Sequence, residues 1–184
     1  MKILITGVGV VGKSTLRRLL VDFLRSLHAV EPVEQYDADD FREPRCNADS
    51  NCRRPEELRD GVVYVIEDVR GPCGDAAFMP LKQYDEIFYV LPNFWSHVMF
   101  WVSRMWRWFD TGNFAWDRDT GWCGTGKQRD PKNIPHILKE FLQNMRYRRA
   151  WIQKDREVIA ASNVHCSIFR PTWTINGISW DEIS

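Results

Sequence analysis

The hydrophobic and polar positions of this chain follow two periods that alternate along the sequence. Short apolar runs predict five β-strands, at Lys2–Thr6, Val33–Tyr36, Gly61–Glu67, Glu86–Leu91 and His165–Arg170. Apolar residues with helical spacing predict helices at Ser14–Leu27, at Asn93–Phe109 and from about Ile134 to Ala160. Strands that alternate with helices predict an α/β fold, in which about five mostly parallel strands are flanked by helices.

The segment between the last two predicted strands has a less regular pattern. In its first helix, four polar residues fall near one stripe: Asn93, His97, Arg104 and Arg107. We therefore expect the wide apolar remainder of this helix to be buried. Residues 110–130 are rich in Gly, Asp and Trp and are predicted to form a mobile loop. The chain is expected to be a single domain, residues 1–184, with residues 110–130 as a lid or substrate loop.

Composition argues against two classes of protein, a mainly disordered chain and a nonspecific nucleic-acid coat protein. Hydrophobic residues make up 44% of the chain, which rules out disorder as the main state, and 25 basic residues balance 25 acidic ones. A neutral chain does not suggest a nonspecific nucleic-acid coat protein. Residues 31–75, however, contain 13 acidic and 6 basic side chains, whereas residues 101–156 contain 12 basic and 6 acidic ones. The chain is therefore neutral only because two oppositely charged segments cancel.

Cysteine usage and hydropathy indicate the compartment. The five cysteines form no C-x-x-C pair, which favours free thiols in a reducing environment. A zinc site at Cys46, Cys52 and Cys73 is the alternative, although no pair of histidines has zinc-ligand spacing. Glycines break the opening apolar run, and Arg104 and Arg107 interrupt the most apolar stretch, so we expect neither a secretory signal nor a membrane span. The sequence thus predicts a cytoplasmic protein.

A glycine-rich loop after the first strand matches the phosphate-binding pattern G-x-x-x-x-G-K-S. Its residues are Gly7, Val8, Gly9, Val10, Val11, Gly12, Lys13 and Ser14, with Thr15 following in the helix. Glycines allow successive backbone N–H groups to point at phosphate oxygens, and the helix N-terminus adds a positive end. The lysine of such a loop contacts the β- and γ-phosphates, and the serine hydroxyl holds Mg²⁺. The expected ligands are ATP and Mg²⁺.

The same glycines also match G-x-G-x-x-G, the pattern of dinucleotide-binding folds. Asp37 lies about where the ribose-binding acid of those folds is expected. A dinucleotide site has no need of the ammonium of Lys13 and the hydroxyl of Ser14, whereas a Mg²⁺-bound triphosphate does. The pattern therefore favours a phosphate loop, and a dinucleotide-binding oxidoreductase remains the alternative.

An acidic segment, Tyr36-Asp37-Ala38-Asp39-Asp40-Phe41-Arg42, follows the second predicted strand. Coming after a phosphate loop and its helix, it resembles the D-D-[YF]-R element of P-loop kinases in the polynucleotide-kinase and zeta-toxin group. The resemblance implies the P-loop NTPase fold, a three-layer sandwich with a lid region. It also implies that Asp39 is the base toward the attacking hydroxyl and that Arg42 anchors substrate phosphate. From the residues alone, Asp37 could equally fold the turn, and Asp40 could begin a solvent-exposed helix.

Two further carboxylates end the third predicted strand. An acidic residue at the end of a buried strand beside a phosphate loop can hold Mg²⁺ through water. We expect Asp68 to have this role, with Glu67 in its place if the strand register differs by one. A carboxylate that caps the following turn is the alternative.

The basic segment supplies candidate cations for the transferring phosphoryl group. In many P-loop kinases a lid before the last strand carries arginines, which neutralise charge on the equatorial phosphoryl oxygens. The candidates are Arg118, Lys127 and Arg129 in the loop and Arg146, Arg148, Arg149 and Arg156 on the next helix. Arg118 is expected to contact ATP. No lid signature singles out two of the cations, and each alone could be a solvated surface residue.

Nine tryptophans are the remaining unusual feature. Four of them lie on an apolar helix and are expected in the core: Trp95, Trp101, Trp106 and Trp108. Trp116 and Trp122 lie in a loop without apolar periodicity and could stack on bases, as on a single-strand binding surface.

These features together predict an ATP-dependent kinase that transfers the γ-phosphoryl group to a hydroxyl of a nucleotide or nucleic acid. The expected acceptor is a polynucleotide end or a hydroxymethylated base, as in phage-type DNA-modifying kinases. A base acceptor would have to be single-stranded or flipped out of a duplex. Arg42 and the basic, tryptophan-containing segment favour this acceptor. The alternatives are a small-molecule P-loop kinase, a dinucleotide-binding oxidoreductase and a nucleotide-dependent binding switch.

Overall fold

The computed structural model describes residues 1–9, 11–27, 32–38, 58–68, 79–111, 116–117, 121–122, 131, 134–174 and 177–183. These residues contain three α-helices: α1 (Lys13–Ser26), α2 (Phe94–Thr111) and α3 (Ile134–Ser162). The strands are β1 (Lys2–Gly7), β2 (Val33–Asp37), β3 (Val63–Glu67), β4 (Glu86–Val90), β5 (Trp116–Asp117), β6 (Gly121–Trp122), β7 (Cys166–Thr174) and β8 (Gly177–Ile183). A 3₁₀ turn at Leu81–Gln83 precedes β4.

Six of these strands form one sheet in the order β2-β3-β1-β4-β7-β8. The first five are parallel to their neighbours, and β8 is antiparallel to β7. The predicted α/β class and mostly parallel sheet are therefore confirmed. The predicted strand count is incomplete, because β8 is not among the predicted strands and β7 continues to Thr174. The dipeptide Asn176-Gly177, which is typical of hairpin turns, is the sequence signal for this return strand.

Helices cover both faces of the sheet. On one face, Ile3 and Ile5 of β1 pack in a buried cluster with Leu16 and Val21 of α1. On the other face, Leu4 belongs to a second cluster that includes Ile159 of α3. Successive side chains of a strand point to opposite faces, so β1 contributes to both clusters. This arrangement forms three layers, with β1 at the centre of the sheet.

Contacts near both ends of α3 help to hold this helix to the rest of the molecule. The Tyr89 hydroxyl on β4 donates a 2.9 Å hydrogen bond to Oδ2 of Asp155, and both residues are buried. Near the other end of α3, the rings of Phe141 and Trp101 meet edge to face, with centroids 6.2 Å apart. Neither α3 nor any other helix in the described part of the chain is long and apolar enough to cross a membrane.

The apolar side of α2 is buried only in part. Trp101 is 2% exposed, which confirms the prediction that it belongs to the core. Trp95 and Trp106 are 74% and 68% exposed, so the same prediction is wrong for them, and the side chain of Trp108 lies outside the described part. Three further apolar residues of this helix are exposed: Phe94, Met99 and Val102. The expectation that the whole wide apolar face is buried is therefore wrong.

The orientation of α2 explains this difference. His97 belongs to the polar stripe of the helix, yet it is only 1% exposed and contacts the backbone of the glycine-rich loop at Gly9. A polar side chain is buried readily when its hydrogen bonds are satisfied. Part of the polar stripe thus turns inward, and part of the apolar surface turns to solvent.

The predicted loop at residues 110–130 contains regular structure. Residues 110 and 111 belong to α2, and β5 and β6 form a short antiparallel pair in which Trp116 lies opposite Trp122. The prediction of a loop is therefore wrong for these residues. The rest of the segment lies outside the described residues, as do Arg118, Lys127 and Arg129.

Candidate functional site

The loop between β1 and α1 curls tightly at two glycines. Gly7 has a φ of 143°, and a Cβ atom added there would lie 2.4 Å from the carbonyl oxygen of Val90. Gly12, which precedes α1, has a φ of 83° and offers no side chain to cap the helix. Thr15 donates its N–H to the Gly12 carbonyl over 3.0 Å. The uncapped, positive end of α1 is therefore directed at the loop, where an anion would be stabilised.

Lys13 is buried beneath this loop and is only 4% exposed. Its Nζ donates hydrogen bonds to the carbonyl oxygens of Gly7 at 3.1 Å and Val8 at 2.9 Å. Burial lowers the pKa of the ammonium, and the nearby carboxylate of Glu67 acts in the opposite direction. An ammonium held by two loop carbonyls can exchange them for phosphate oxygens when an anion enters the loop.

Ser14 and Glu67 connect the start of α1 to the end of β3. The Ser14 hydroxyl donates a 2.8 Å hydrogen bond to Oε1 of Glu67. The register of the sheet aligns Glu67 with Ile5 of β1, two residues before the loop begins. The other carboxylate oxygen, Oε2, lies 3.6 Å from Nη1 of Arg17 and is buried without a hydrogen-bond partner among the described residues. This oxygen therefore keeps acceptor capacity that a water or a ligand can use.

The Ser14–Glu67 pair fits Mg²⁺. This ion takes oxygen ligands in an octahedral arrangement and usually keeps several waters, with few protein ligands. Within the described ranges, no group of three or more His, Cys, Asp or Glu side chains could hold a metal ion. The fit therefore rests on the hydroxyl of Ser14 and the carboxylate of Glu67, together with water and phosphate oxygens.

Asp68, the residue predicted to support Mg²⁺, is buried one position further along. Its N–H donates to the carbonyl of Ile5 over 2.9 Å, and its own carbonyl accepts a 3.3 Å hydrogen bond from the hydroxyl of Thr6. Its carboxylate lies near enough to Lys13 to oppose the lowering of the ammonium's pKa. The direct contact with Ser14 is made by Glu67, which the sequence offers as the alternative.

A buried histidine supports the back of the loop. Nε2 of His97 lies 2.8 Å from the carbonyl oxygen of Gly9, and Nδ1 accepts a 3.0 Å hydrogen bond from Nε of Arg148. A guanidinium can only donate, so Nδ1 carries no proton and Nε2–H donates to Gly9. Arg148 also donates a 2.6 Å hydrogen bond to the carbonyl of Pro92. These contacts connect β4, α2 and α3 to the phosphate loop.

The charge state of His97 follows from its surroundings. Burial and, to a smaller extent, the positive charges of Arg148 and Lys13 together lower its pKa to about 4, against the opposing effect of the hydrogen bond to Gly9. The imidazole is therefore neutral at neutral pH. Asn144 of α3 also approaches this part of the loop, because a Cβ on Gly9 would lie 2.9 Å from its Oδ1. The loop is thus enclosed by two helices at Gly9.

Arg104 of α2 adds a positive charge at the same end of the sheet. Neighbouring atoms partly desolvate its guanidinium, although the residue remains accessible, and this lowers its pKa. The carboxylates of Glu67 and Asp37 raise the pKa, and Arg104 in turn acts on Lys13. The charge of Arg104 thus interacts with Lys13 at the glycine-rich loop and with the acidic residues that end β2 and β3.

Comparison with known proteins gives no family for this chain. No protein-family model matches it, and a search among curated proteins finds no match.

The strand order bears on the dinucleotide alternative. In dinucleotide-binding folds β2 lies beside β1, so the acid at the end of β2 can reach the ribose. Here β3 lies between them, with Asp37 aligned with Glu67 and Glu67 aligned with Ile5. Neighbouring strands are about 4.8 Å apart, which puts the backbone of Asp37 about 10 Å from β1. Asp37 thus lacks the position of the ribose-binding acid.

The structure brings together only some of the predicted site residues. Val8 and Val11 are buried and pack with residues of β1 and α1, which fixes the loop to the core. Several predicted residues lie outside the described part of the chain: Val10, Asp39, Arg42, Arg118 and the cysteines Cys46, Cys52 and Cys73. The roles predicted for them stay predictions.

Sequence reasoning missed three contributors to this site. His97 and Arg104 belong to the polar stripe of α2, and their spacing was the signal, but a polar stripe is more often solvated than turned toward a loop. Asn144 carries no signal in the sequence, because its approach to Gly9 depends on how α3 packs.

Proposed function

We propose that this protein is a P-loop kinase, with a three-layer P-loop NTPase fold, that transfers the γ-phosphoryl group of ATP to a hydroxyl of a nucleotide or nucleic acid. The observation that carries the proposal is the loop itself. The ammonium of Lys13, the first residue of α1, lies beneath the loop, and the hydroxyl of Ser14, the next residue, donates a hydrogen bond to Glu67. A bound triphosphate needs a cation, a ring of N–H donors and a metal-binding hydroxyl in this arrangement.

Each group at the loop has a task in this proposal. The N–H groups of the loop and the start of α1 bind the phosphates, and Lys13 exchanges the carbonyls of Gly7 and Val8 for β- and γ-phosphate oxygens. Ser14 and Glu67 would hold Mg²⁺, with Asp68 close by, and the ion would neutralise charge on the phosphates. His97 and Asn144 restrict movement of the loop at Gly9, which keeps the donors in place.

The transfer step needs a base and an anchor for the acceptor. Asp39 takes the proton of the attacking hydroxyl as its oxygen forms a bond to the γ-phosphorus. The bond between the γ-phosphorus and the β,γ-bridging oxygen breaks, and ADP leaves. Arg42 binds a phosphate of the acceptor. These two assignments rest on the resemblance of residues 36–42 to the acidic element of the polynucleotide-kinase and zeta-toxin group.

Arg104 supports the same chemistry. Its positive charge interacts electrostatically with Lys13, Glu67 and Asp37, the groups that would surround the transferring phosphoryl group. Cations in this position stabilise the equatorial oxygens of the transferring group. Arg104 thus joins Arg118 as a candidate for this role. A cytoplasmic location, where ATP is available, belongs to the same proposal.

An acceptor screen with ATP labelled on its γ-phosphate tests the proposal. Oligonucleotides, nucleotides and small metabolites are offered separately, and label is followed into product. We expect transfer to a nucleotide or nucleic acid. Label in a small metabolite alone would support a small-molecule kinase, and transfer to no acceptor would favour a binding switch.

Variants at neighbouring aspartates test the base. Asp39→Asn should retain ATP binding and reduce transfer by a factor of about 10² to 10⁴, the usual contribution of a general base. Asp40→Asn is the matched control, because it removes a neighbouring carboxylate that the proposal does not use. Unchanged transfer by Asp39→Asn would refute the base assignment.

A further inference from the structure

A groove on α3 contains an unusual concentration of arginines. It encloses about 570 Å³ and lies between α3, the end of β4 and β7. Four arginines line it: Arg148, Arg149 and Arg156 of α3, and Arg170 of β7. Glu157 is the one acidic residue of this lining, and its Oε1 accepts a 3.0 Å hydrogen bond from Gln153. The groove thus has a surplus of positive charge.

Three of these arginines form no ion pair with a carboxylate in the described part of the chain. The side chains of Arg149, Arg156 and Arg170 make no ion pair or hydrogen bond within the part of the chain that the structure describes. Asp181 lies opposite Arg170 in the sheet register without an ion pair forming. Four guanidinium groups that share a groove with one carboxylate, that of Glu157, repel each other, and an anion would relieve that repulsion. Arginine is also the side chain best suited to bind phosphate with two donors.

The shape of the groove bears on the size of the anion. Arg149 and Arg156 are seven residues apart on one helix, which places them two turns, or about 10 Å, apart along its axis. A strand with repeated phosphates can place separate phosphates along such a row, so that each guanidinium binds a different one. Leu91, Pro92 and Ile152 contribute apolar lining between the charges, against which sugars or bases can pack.

The groove is connected to the phosphate loop. Arg148 lines the groove and donates to His97, which donates to the carbonyl of Gly9. We propose that the groove binds the phosphate backbone of a single-stranded nucleic acid, at nucleotides remote from the reacting hydroxyl. This inference deepens the proposed function and rests on it for the choice of nucleic acid among polyanions.

The experiment measures binding of a fluorescein-labelled single-stranded DNA 12-mer by fluorescence anisotropy, without ATP and at several KCl concentrations. The double variant Arg149→Gln/Arg156→Gln removes two groove charges. Its matched control, Lys139→Gln/Lys154→Gln, removes two exposed charges of the same helix that do not line the groove. Each phosphate contact contributes about 0.7 to the slope of log affinity against log salt for a single strand.

The expected result is specific to the groove. The arginine variant should bind at least tenfold more weakly, and its salt slope should be smaller by about 1.4, while the control stays within twofold of wild type. Arg156→Gln alone should decrease the salt slope by about 0.7, which is half of the decrease expected for the double variant. Equal weakening in both double variants, or an unchanged slope in the arginine variant, would overturn the proposal.

Two further arms separate this inference from its alternatives. Unlabelled thymidine monophosphate should compete far more weakly than an unlabelled 12-mer; equal competition would show a mononucleotide site and overturn the proposal. If wild type binds the 12-mer through the arginines and phosphorylates nothing, the groove stands and the proposed kinase function fails. If it phosphorylates the 12-mer without dependence on these arginines, the groove fails and the kinase function stands.

Discussion

The hydroxyl of Ser14 and the carboxylate of Glu67 form a 2.8 Å hydrogen bond that joins the first turn of α1 to the end of β3. The second oxygen of Glu67 is buried and has no hydrogen-bond partner among the described residues. A hydroxyl and a carboxylate that already touch each other need little rearrangement to share one Mg²⁺. Glu67 is therefore the carboxylate that we expect to matter most for the metal.

Paired substitutions at the end of β3 test this expectation. Glu67→Gln keeps an oxygen to accept from Ser14 but loses the negative charge, so the Mg²⁺ concentration for half-maximal ATP binding should rise by about tenfold or more. Asp68→Asn, one residue away, should have a smaller effect. A Mg²⁺ titration with a fluorescent ATP analogue measures both. A larger effect of Asp68→Asn than of Glu67→Gln would mean that Asp68, and not Glu67, is the carboxylate that holds Mg²⁺.

The buried His97 makes stability depend on pH. Its pKa is about 4 in the folded protein, whereas an unfolded histidine has a pKa near 6.5. Between these values the unfolded chain binds more protons than the folded one, so stability falls as the pH is lowered from 6.5 to 4. The contribution lost across this window is about 3 kcal/mol.

His97→Gln isolates this contribution, because glutamine can donate to Gly9 but cannot titrate. Urea unfolding, followed by tryptophan fluorescence at pH 7 and pH 4.5, gives the free energy of unfolding at each pH. The loss between the two should be about 2 kcal/mol smaller in the variant than in wild type. Equal losses would mean that His97 is not held neutral.

The curvature of the loop requires glycine at its first position. Gly7→Ala would put a Cβ 2.4 Å from the Val90 carbonyl at a φ of 143°, and should destabilise the protein by about 3 kcal/mol or more. Gly61→Ala is the control, because Gly61 also has a positive φ, of 75°, but nothing lies within 4 Å of its added Cβ. This control should cost only about 1 kcal/mol in urea unfolding. Equal costs would argue against the close approach to Val90.

Two tryptophans of α2, one buried and one exposed, test how this helix packs against the rest of the molecule. Trp101→Ala should lower the free energy of unfolding by about 3 to 5 kcal/mol, because it empties a core site that is 2% exposed. Trp106→Ala, at a site that is 68% exposed, should change it by less than about 0.5 kcal/mol. Urea unfolding of both variants checks the orientation of the helix. A large cost at Trp106 would restore the prediction that it lies in the core.

Local patterns in the sequence predict much of this fold. The apolar runs that become β1, β3 and β4 and the glycine loop are defined by neighbours along the chain, so their prediction needs no knowledge of packing. Lys13 and Ser14 are predicted at the loop for the same reason, since one short motif contains both. The dipeptide Asn176-Gly177 is an equally local signal, typical of the hairpin turns that precede a return strand such as β8.

The remaining features depend on contacts that the sequence does not reveal. The choice between Glu67 and Asp68 is set by the register of β3 against β1, and a shift of one residue exchanges their roles. The inward turn of His97 and the exposure of Trp106 depend on how α2 is rotated against the loop. Periodicity finds the two sides of a helix but does not determine which side meets a polar partner.

Calorimetric titration of the protein with ATP and Mg²⁺ tests the central claim most directly, because every step of the proposed chemistry begins with this complex. Titrations with NADP and with the Lys13→Ala variant are run beside it. We predict saturable binding of ATP that requires Mg²⁺, no comparable binding of NADP, and severe weakening in Lys13→Ala. Binding of NADP in place of ATP, or ATP binding that is unaffected by loss of Lys13, would contradict the account.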